Sequence, residues 1–205
     1  MEPTNTTTTQ APMRKSKMGP LVTILVILVI ILGVVFYIKK NGSSAAHVSA
    51  DALAVAPYVN ASSSFSIQFP TGWKIDQSGQ YGAIVFALNP TIDKVGEASF
   101  SSNINVTSEP VQAANLGEYI KVTQEALPKF LSDYKTTEDK KVTVDGVEGR
   151  IIGGSFTQGQ LKLRNIQLVI LKNGRAYVIT ATSMQGTWKA YADVLEASLM
   201  TFKIQ

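Results

Sequence analysis

The sequence predicts an α+β fold: a sandwich built on a mostly antiparallel sheet with helices on both of its faces, preceded by one transmembrane helix. Three observations carry this reading. The run Leu21 to Ile38 holds 18 residues without a charge. Two later stretches, near 115–134 and 187–200, place apolar residues every three or four positions, the period of a helix with one buried face. Around them lie short segments of alternating polarity separated by Asp-Gly and Asn-Gly pairs, which are strong hairpin signals.

As a helix, 21–38 spans about 27 Å, close to the hydrocarbon thickness of a bilayer. Arg14, Lys15 and Lys17 precede it and Lys39 and Lys40 follow it. A buried core helix is the alternative, but a helix apolar on every face suits a membrane better than a small core. The run is longer than a signal-peptide core, and Val48-Ser49-Ala50 lies too far downstream to be its cleavage site, so an uncleaved anchor is expected. The excess of basic residues on the N-terminal side places the N-terminus in the cytoplasm and the rest of the chain outside it. The expected organisation is therefore a disordered basic tail over 1–20, the transmembrane helix over 21–38, a flexible linker over 39–60 and a globular domain over 61–205.

The formal charge of +4 belongs to the anchor region. Residues 1–40 contain five basic side chains and one acidic one, which leaves 14 of each sign in 41–205. A neutral domain has no electrostatic motive for binding nucleic acid. There is no cysteine and one histidine, His47, which excludes disulfides, thiolate nucleophiles, lipoprotein attachment and any two-histidine metal site.

Each element follows from its pattern. Phe65–Phe69 alternates as a half-buried strand ended by Pro70, and Trp73–Gln77 with Tyr81–Leu88 reads as a hairpin around Gly79. Ala98–Val106 puts Ala98, Phe100, Ile104 and Val106 on one face and Ser99, Ser101, Asn103 and Asn105 on the other, a one-sided strand. The helix near 115–134 begins at a capping box of Asn115 and Glu118, and Pro128 is expected to kink or divide it. Asp145-Gly146 and Asn173-Gly174 read as type I′ turns, Gln158-Gly159 as a weaker one. Gly153-Gly154 inside a strand suggests a bulge or a close backbone approach. Leu161–Leu171 becomes apolar on both faces after Asn165, which requires helices on both sides. The last helix, about 187–200, aligns Trp188, Tyr191, Leu195 and Leu199.

The segment Phe65-Ser66-Ile67-Gln68-Phe69-Pro70-Thr71-Gly72-Trp73 resembles the opening signature of PsbP-like domains, an aromatic-rich strand followed by Pro-x-Gly-Trp. The Asp145-Gly146 hairpin, the strand Tyr177–Ser183, Trp188 and the closing Phe202 resemble the same family, over about 60–205. The resemblance implies an α-β-α sandwich around an antiparallel sheet, here in a membrane-anchored, prokaryotic-type member. Photosynthetic members hold metal ions with histidine and carboxylates; the domain has no histidine, so no metal ligand is carried over.

Candidate chemistry is sparse. His47 lies in the linker, where a solvated side chain is expected. Ser132 and Lys135 match Ser-x-x-Lys, but 17 serines make one chance match unsurprising, and the partner motifs Ser-Asp-Asn and Lys-Thr-Gly are missing. Asp133, Glu138 and Asp139 form an acidic cluster without EF-hand spacing and read as a solvated loop. Lys162 and Arg164, with Arg150 on a neighbouring strand, read as a charged strand end or an anion patch. Trp73 and Trp188 are expected in the core, and Asn60 and Asn105 head glycosylation sequons. No catalytic, metal or cofactor residue is assigned and no cofactor is expected. The expected role is a non-enzymatic extracytoplasmic binding or accessory module, an assembly factor for envelope proteins with a protein partner there. The alternatives are a carrier of a small apolar or lipid-like ligand, held under the helix split at Pro128, and a Ser/Lys hydrolase.

Overall fold

The two Asp-Gly and Asn-Gly turns set the architecture, because each forces the chain straight back on itself. Asp145 and Gly146 have φ of 50° and 77°, Asn173 and Gly174 have 54° and 71°, the left-handed pairs a two-residue type I′ turn needs. In the computed structural model, which describes residues 52–111 and 113–205, they join β8 (Ser132–Val144) to β9 (Val147–Gln158) and β10 (Leu161–Lys172) to β11 (Arg175–Met184). The turn between β9 and β10 is displaced by one residue from the expected pair. Leu161 pairs with Gln158, so Gly159-Gln160 forms the loop and Gly159 alone takes positive φ, 59°.

The main sheet has seven antiparallel strands in the order β3-β4-β7-β11-β10-β9-β8, where β3 is Lys74–Asp76, β4 is Val85–Leu88 and β7 is Asn103–Pro110. A smaller sheet joins β1 (Tyr58–Asn60), β2 (Phe65–Ile67) and β12 (Lys203–Ile204), and β5 (Asp93–Val95) pairs with β6 (Ala98–Phe100). Helix α1 (Leu116–Phe130) covers one face of the main sheet and α2 (Trp188–Met200) the other. This is the expected α-β-α sandwich.

Each face carries its own core. Under α1, Tyr119, Ile120 and Leu127 pack on Ile152, Phe156 and Val169. Under α2, Tyr191, Leu195 and Leu199 pack on Ile151, Leu168 and Ile179, with Phe65 and Phe202 stacked at 5.3 Å. Burial of this kind contributes about 25 cal/mol per Å² of apolar surface and holds the layers together.

Several expectations shift. β1 and the bridge between Leu53 and Pro70 belong to the fold, so the last residues of the expected linker, from 52 onward, are structured. Phe65–Ile67 is buried throughout rather than half-buried, because the small sheet is packed over by Phe202 and Tyr58. The expected strand over 98–106 is broken at Ser101-Ser102. Phe100 then packs under α1 while Ile104 and Val106 pack under α2, and Asn103, Asn105 and Thr107 are buried rather than facing solvent. Pro128 does not divide α1; it occupies the last turn, and the helix runs unbroken to Phe130. Leu131 turns extended (φ −106°, ψ 120°), so Ser132–Tyr134 begin β8 instead of ending a helix. Among the described residues no helix is long and apolar enough to cross a membrane, and the expected span at 21–38, the tail over 1–20 and His47 lie outside them.

Candidate functional site

The start of α1 shapes a surface concavity. Asn115 is extended, its Oδ1 accepts the Glu118 N–H at 2.9 Å, and Glu118 Oε2 accepts the Ala114 N–H at 3.1 Å. These contacts satisfy helix-end donors and fix the entry of the chain, the expected capping box in a form shifted by one residue. Just before it, the Val111 N–H donates to the Gly174 carbonyl at 2.9 Å, tying this segment to the β10–β11 turn. Between the helix start, that turn and the beginning of β9 lies a groove of about 340 Å³. Val111, Leu116, Val147 and Leu171 give it an apolar lining, and Glu148, Lys172 and Arg175 add charge.

The walls are held by specific bonds. Arg175 Nε donates to Ser108 Oγ at 2.9 Å and Nη2 to the Ser108 carbonyl at 3.2 Å, which lays the guanidinium along β7. One turn into α1, the Tyr119 hydroxyl donates to Glu109 Oε1 at 2.7 Å. Burial first, and the Glu109 carboxylate second, push the Tyr119 phenol far above its usual range, so it remains a protonated donor. The lining contains no serine, threonine, cysteine or histidine. Such a groove is equipped to hold an apolar group with a polar end, and its described lining has no hydroxyl or thiol nucleophile.

Deeper on the same sheet face lies a polar band. The register aligns Asn105, Thr180 and Gln167 in one cross-strand row and Asn103, Thr182 and Asn165 in the next. All six are at most 3% exposed. Asn165 Oδ1 accepts the Gly154 N–H at 3.1 Å, whereas neither polar end of the Gln167 amide meets a protein partner. Alternation suggested a solvent face here; the band lies instead on the α1 side of the sheet and is buried, and no sequence signal marked this.

The sequence candidates separate in space. Ser132 and Lys135 are exposed on the edge strand β8, where a register shift between them brings both onto the α2 face in adjoining cross-strand rows. Asp133, Glu138 and Asp139 lie on that strand and not on a loop. Glu138 pairs with Lys140 at 2.8 Å while Asp139 pairs with Arg150, and among the described residues no acidic or histidine group could hold a metal ion. Arg150 leaves the sheet on the α1 face, opposite Val169, whereas Lys162 and Arg164 leave on the α2 face, so the expected three-residue patch does not form. Trp73 and Trp188 are buried as expected. Asn60 accepts the Ser63 N–H at 2.8 Å at the end of β1, and Asn105 is buried, which removes the second sequon from any modifying enzyme. The gap imagined under a divided α1 is filled by Ile120, Thr123, Ala126 and Leu127.

The PsbP-like protein family matches this sequence over residues 21–204. The chain belongs to that family. Solved structures agree on the fold. Cyanobacterial PsbP of Synechocystis has 11% identity and a TM-score of 0.53, covering 82% of this chain and 99% of its own. A Pseudomonas aeruginosa protein of unknown function has 14% identity and a TM-score of 0.52, covering 73% and 96%. LpqN of Mycobacterium tuberculosis, involved in cell envelope biogenesis, has 13% identity and a TM-score of 0.51, covering 69% and 83%. No curated protein matches the sequence.

The PsbP-like opening signature has a physical basis in this chain. Gly72 takes φ of 78° inside Pro70–Trp73, and the Trp73 N–H donates to the Pro70 carbonyl at 3.2 Å. This turn reverses the chain from the small sheet toward the large one and drops Trp73 into the α2-side core. Thr71 N–H donates to the Ala52 carbonyl at 2.6 Å, which fastens the segment ahead of β1 to the same turn.

Proposed function

We propose that this PsbP-like domain is a non-enzymatic binding and accessory module for envelope proteins. It is held outside the cytoplasm by a single-pass anchor at 21–38 whose N-terminus stays inside. The groove at the start of α1 carries the reading: it mixes aliphatic and charged side chains, Arg175 is held in place by Ser108, and the lining among the described residues has no hydroxyl, thiol or imidazole. The envelope role of LpqN, which shares the fold, supports the setting. A photo-crosslinking residue at Val147 of the full chain, activated in native membranes, is expected to capture a protein partner. The same residue at Gln160, at the far end of the sheet, is expected to capture none. Equal yields from both positions would remove the groove from the account. Protease added to intact cells is expected to digest the domain; full protection would overturn its placement outside.

The size of the groove and its Val111, Leu116, Val147 and Leu171 side chains also suit a second reading, a carrier of a small apolar or lipid-like molecule. Native mass spectrometry of the chain released from its own membrane would then show a co-purifying mass that Leu116→Lys abolishes. An unchanged mass in that variant rules the groove out as its holder.

A further inference from the structure

The sheet end remote from that groove gathers side chains that lie far apart in sequence. On the α2 face, the register places Ser132, Thr157 and Lys162 in one cross-strand row and Lys135, Ser155, Arg164 and Ser183 in the next. The bulge at Asp133, whose φ is 55°, advances β8 by one residue and lets Ser132 and Lys135 share this face. Neighbouring strands are about 4.8 Å apart, so Lys135 and Arg164 flank Ser155 with Cα atoms roughly 10 Å apart, within reach of one small ion.

Arg164 is the telling member. Its guanidinium carbon stands 4.6 Å from the centre of the Trp188 ring, yet its buried Nε has no hydrogen-bond partner, and it joins no ion pair among the described residues. Arg150, Lys140 and Lys203 each meet a carboxylate. The carboxylate of the adjoining row, Glu138, is already taken by Lys140. The contact with the Trp188 ring holds the guanidinium in place without using any of its hydrogen-bond donors, and a positioned guanidinium with free donors is suited to an oxyanion. Ser155 and Thr157, both only partly buried, supply hydroxyl donors on the same face.

We propose that Lys135, Lys162 and Arg164, with the Ser155 and Thr157 hydroxyls, form a binding site for a phosphate-class oxyanion. The group is either free phosphate or the phosphate of a lipid headgroup. The site is distinct from the groove and does not depend on it.

The test uses the full chain in alkyl-maltoside micelles, which carry no phosphate, titrated with inorganic phosphate by calorimetry at fixed ionic strength. Saturable binding is expected. Lys162→Gln or Lys135→Gln should weaken it several-fold, and Arg164→Gln roughly tenfold or more. Lys141→Gln, a lysine of the same strand on the opposite face, should leave it unchanged. Because Arg164 touches Trp188, emission of that residue should change on binding, which reports the site even if one variant folds poorly. Adding phosphatidylglycerol to the micelles separates the sources. A Trp188 change without added phosphate, lost in Lys162→Gln, identifies the headgroup; a change only on adding phosphate identifies the free ion. No saturable response to either, or equal weakening by Lys141→Gln and Lys162→Gln, overturns the site.

Discussion

Asp139 and Lys140 are consecutive on β8, leave opposite faces of the sheet, and each reaches a different helix. Asp139 Oδ2 accepts a hydrogen bond from Gln124 of α1 at 3.0 Å, while Lys140 Nζ meets Glu196 of α2 at 2.6 Å. The alternation of a single edge strand thus ties both outer layers to the sheet. With Lys140 and Glu196 side chains each 41% exposed, the tether contributes roughly 1 kcal/mol or less and chiefly fixes orientation.

These tethers predict opposite pH signatures. Arg150 first, then the Gln124 bond, hold the Asp139 carboxyl below its ordinary 3.8. Its stabilisation is therefore present above that value and lost as pH falls through the depressed one. Glu138 and then Glu196 raise Lys140 above 10.5, so its contribution is complete below that pH and lost as pH rises through the raised value. Melting temperatures measured from pH 2.5 to 11.5 should fall less steeply in acid for Asp139→Asn and less steeply in alkali for Lys140→Met. Parallel curves for wild type and variant would remove that residue from the account.

Gly154 is required for closeness rather than for conformation. A Cβ there would stand 2.3 Å from the Tyr134 ring, well inside contact distance, and the adjoining β8 bulges accommodate the same approach. Gly154→Ala is expected to cost about 1–3 kcal/mol in denaturant unfolding, the usual scale of overpacking. The double variant with Tyr134→Ala should lose less than the two single losses combined, because the clash has gone. Strict additivity would show that the two residues do not meet.

Much of this fold was legible where a residue type permits only one backbone. Asp145-Gly146 and Asn173-Gly174 marked their turns because their left-handed φ is costly for other residues, and the α2 stripe from Trp188 to Leu199 had no rival pattern. Leu127, Leu131 and Tyr134 show the limit. Their spacing continues a helix, yet Leu131 and Tyr134 reach the same core from the start of a bulged strand. Asn103 and Asn105 show another: alternation reveals which residues share a face but not whether a later helix will cover it. The groove joins three chain ends remote in sequence, and the cationic rows depend on a one-residue bulge, so neither leaves a local pattern.

The polar band under α1 has an energetic consequence at Gln167. Its amide is 1% exposed, and both its oxygen and its nitrogen lack a protein partner. Burying such a group costs more than burying an apolar one of the same length. Gln167→Met is therefore expected to raise the unfolding free energy by about 1–2 kcal/mol, measured in urea. A loss of similar size would mean that the amide is satisfied within the folded chain and helps to specify the packing of α1.

Helix α1 also forms one wall of the groove, so its first turn links stability to binding. Asn115→Ala removes the acceptor of the Glu118 N–H and should cost about 1 kcal/mol globally. Fraying should be confined to the first turn, because Tyr119 remains fastened to Glu109 one turn later. Hydrogen exchange is expected to quicken at the amides of 116–118 while those of 123–127 keep their protection. Asn115→Asp, which keeps an acceptor and adds negative charge at a helix start, should restore the wild-type pattern. If exchange quickened along the whole helix instead, α1 would open as one unit, and the groove wall would depend on packing rather than on its cap.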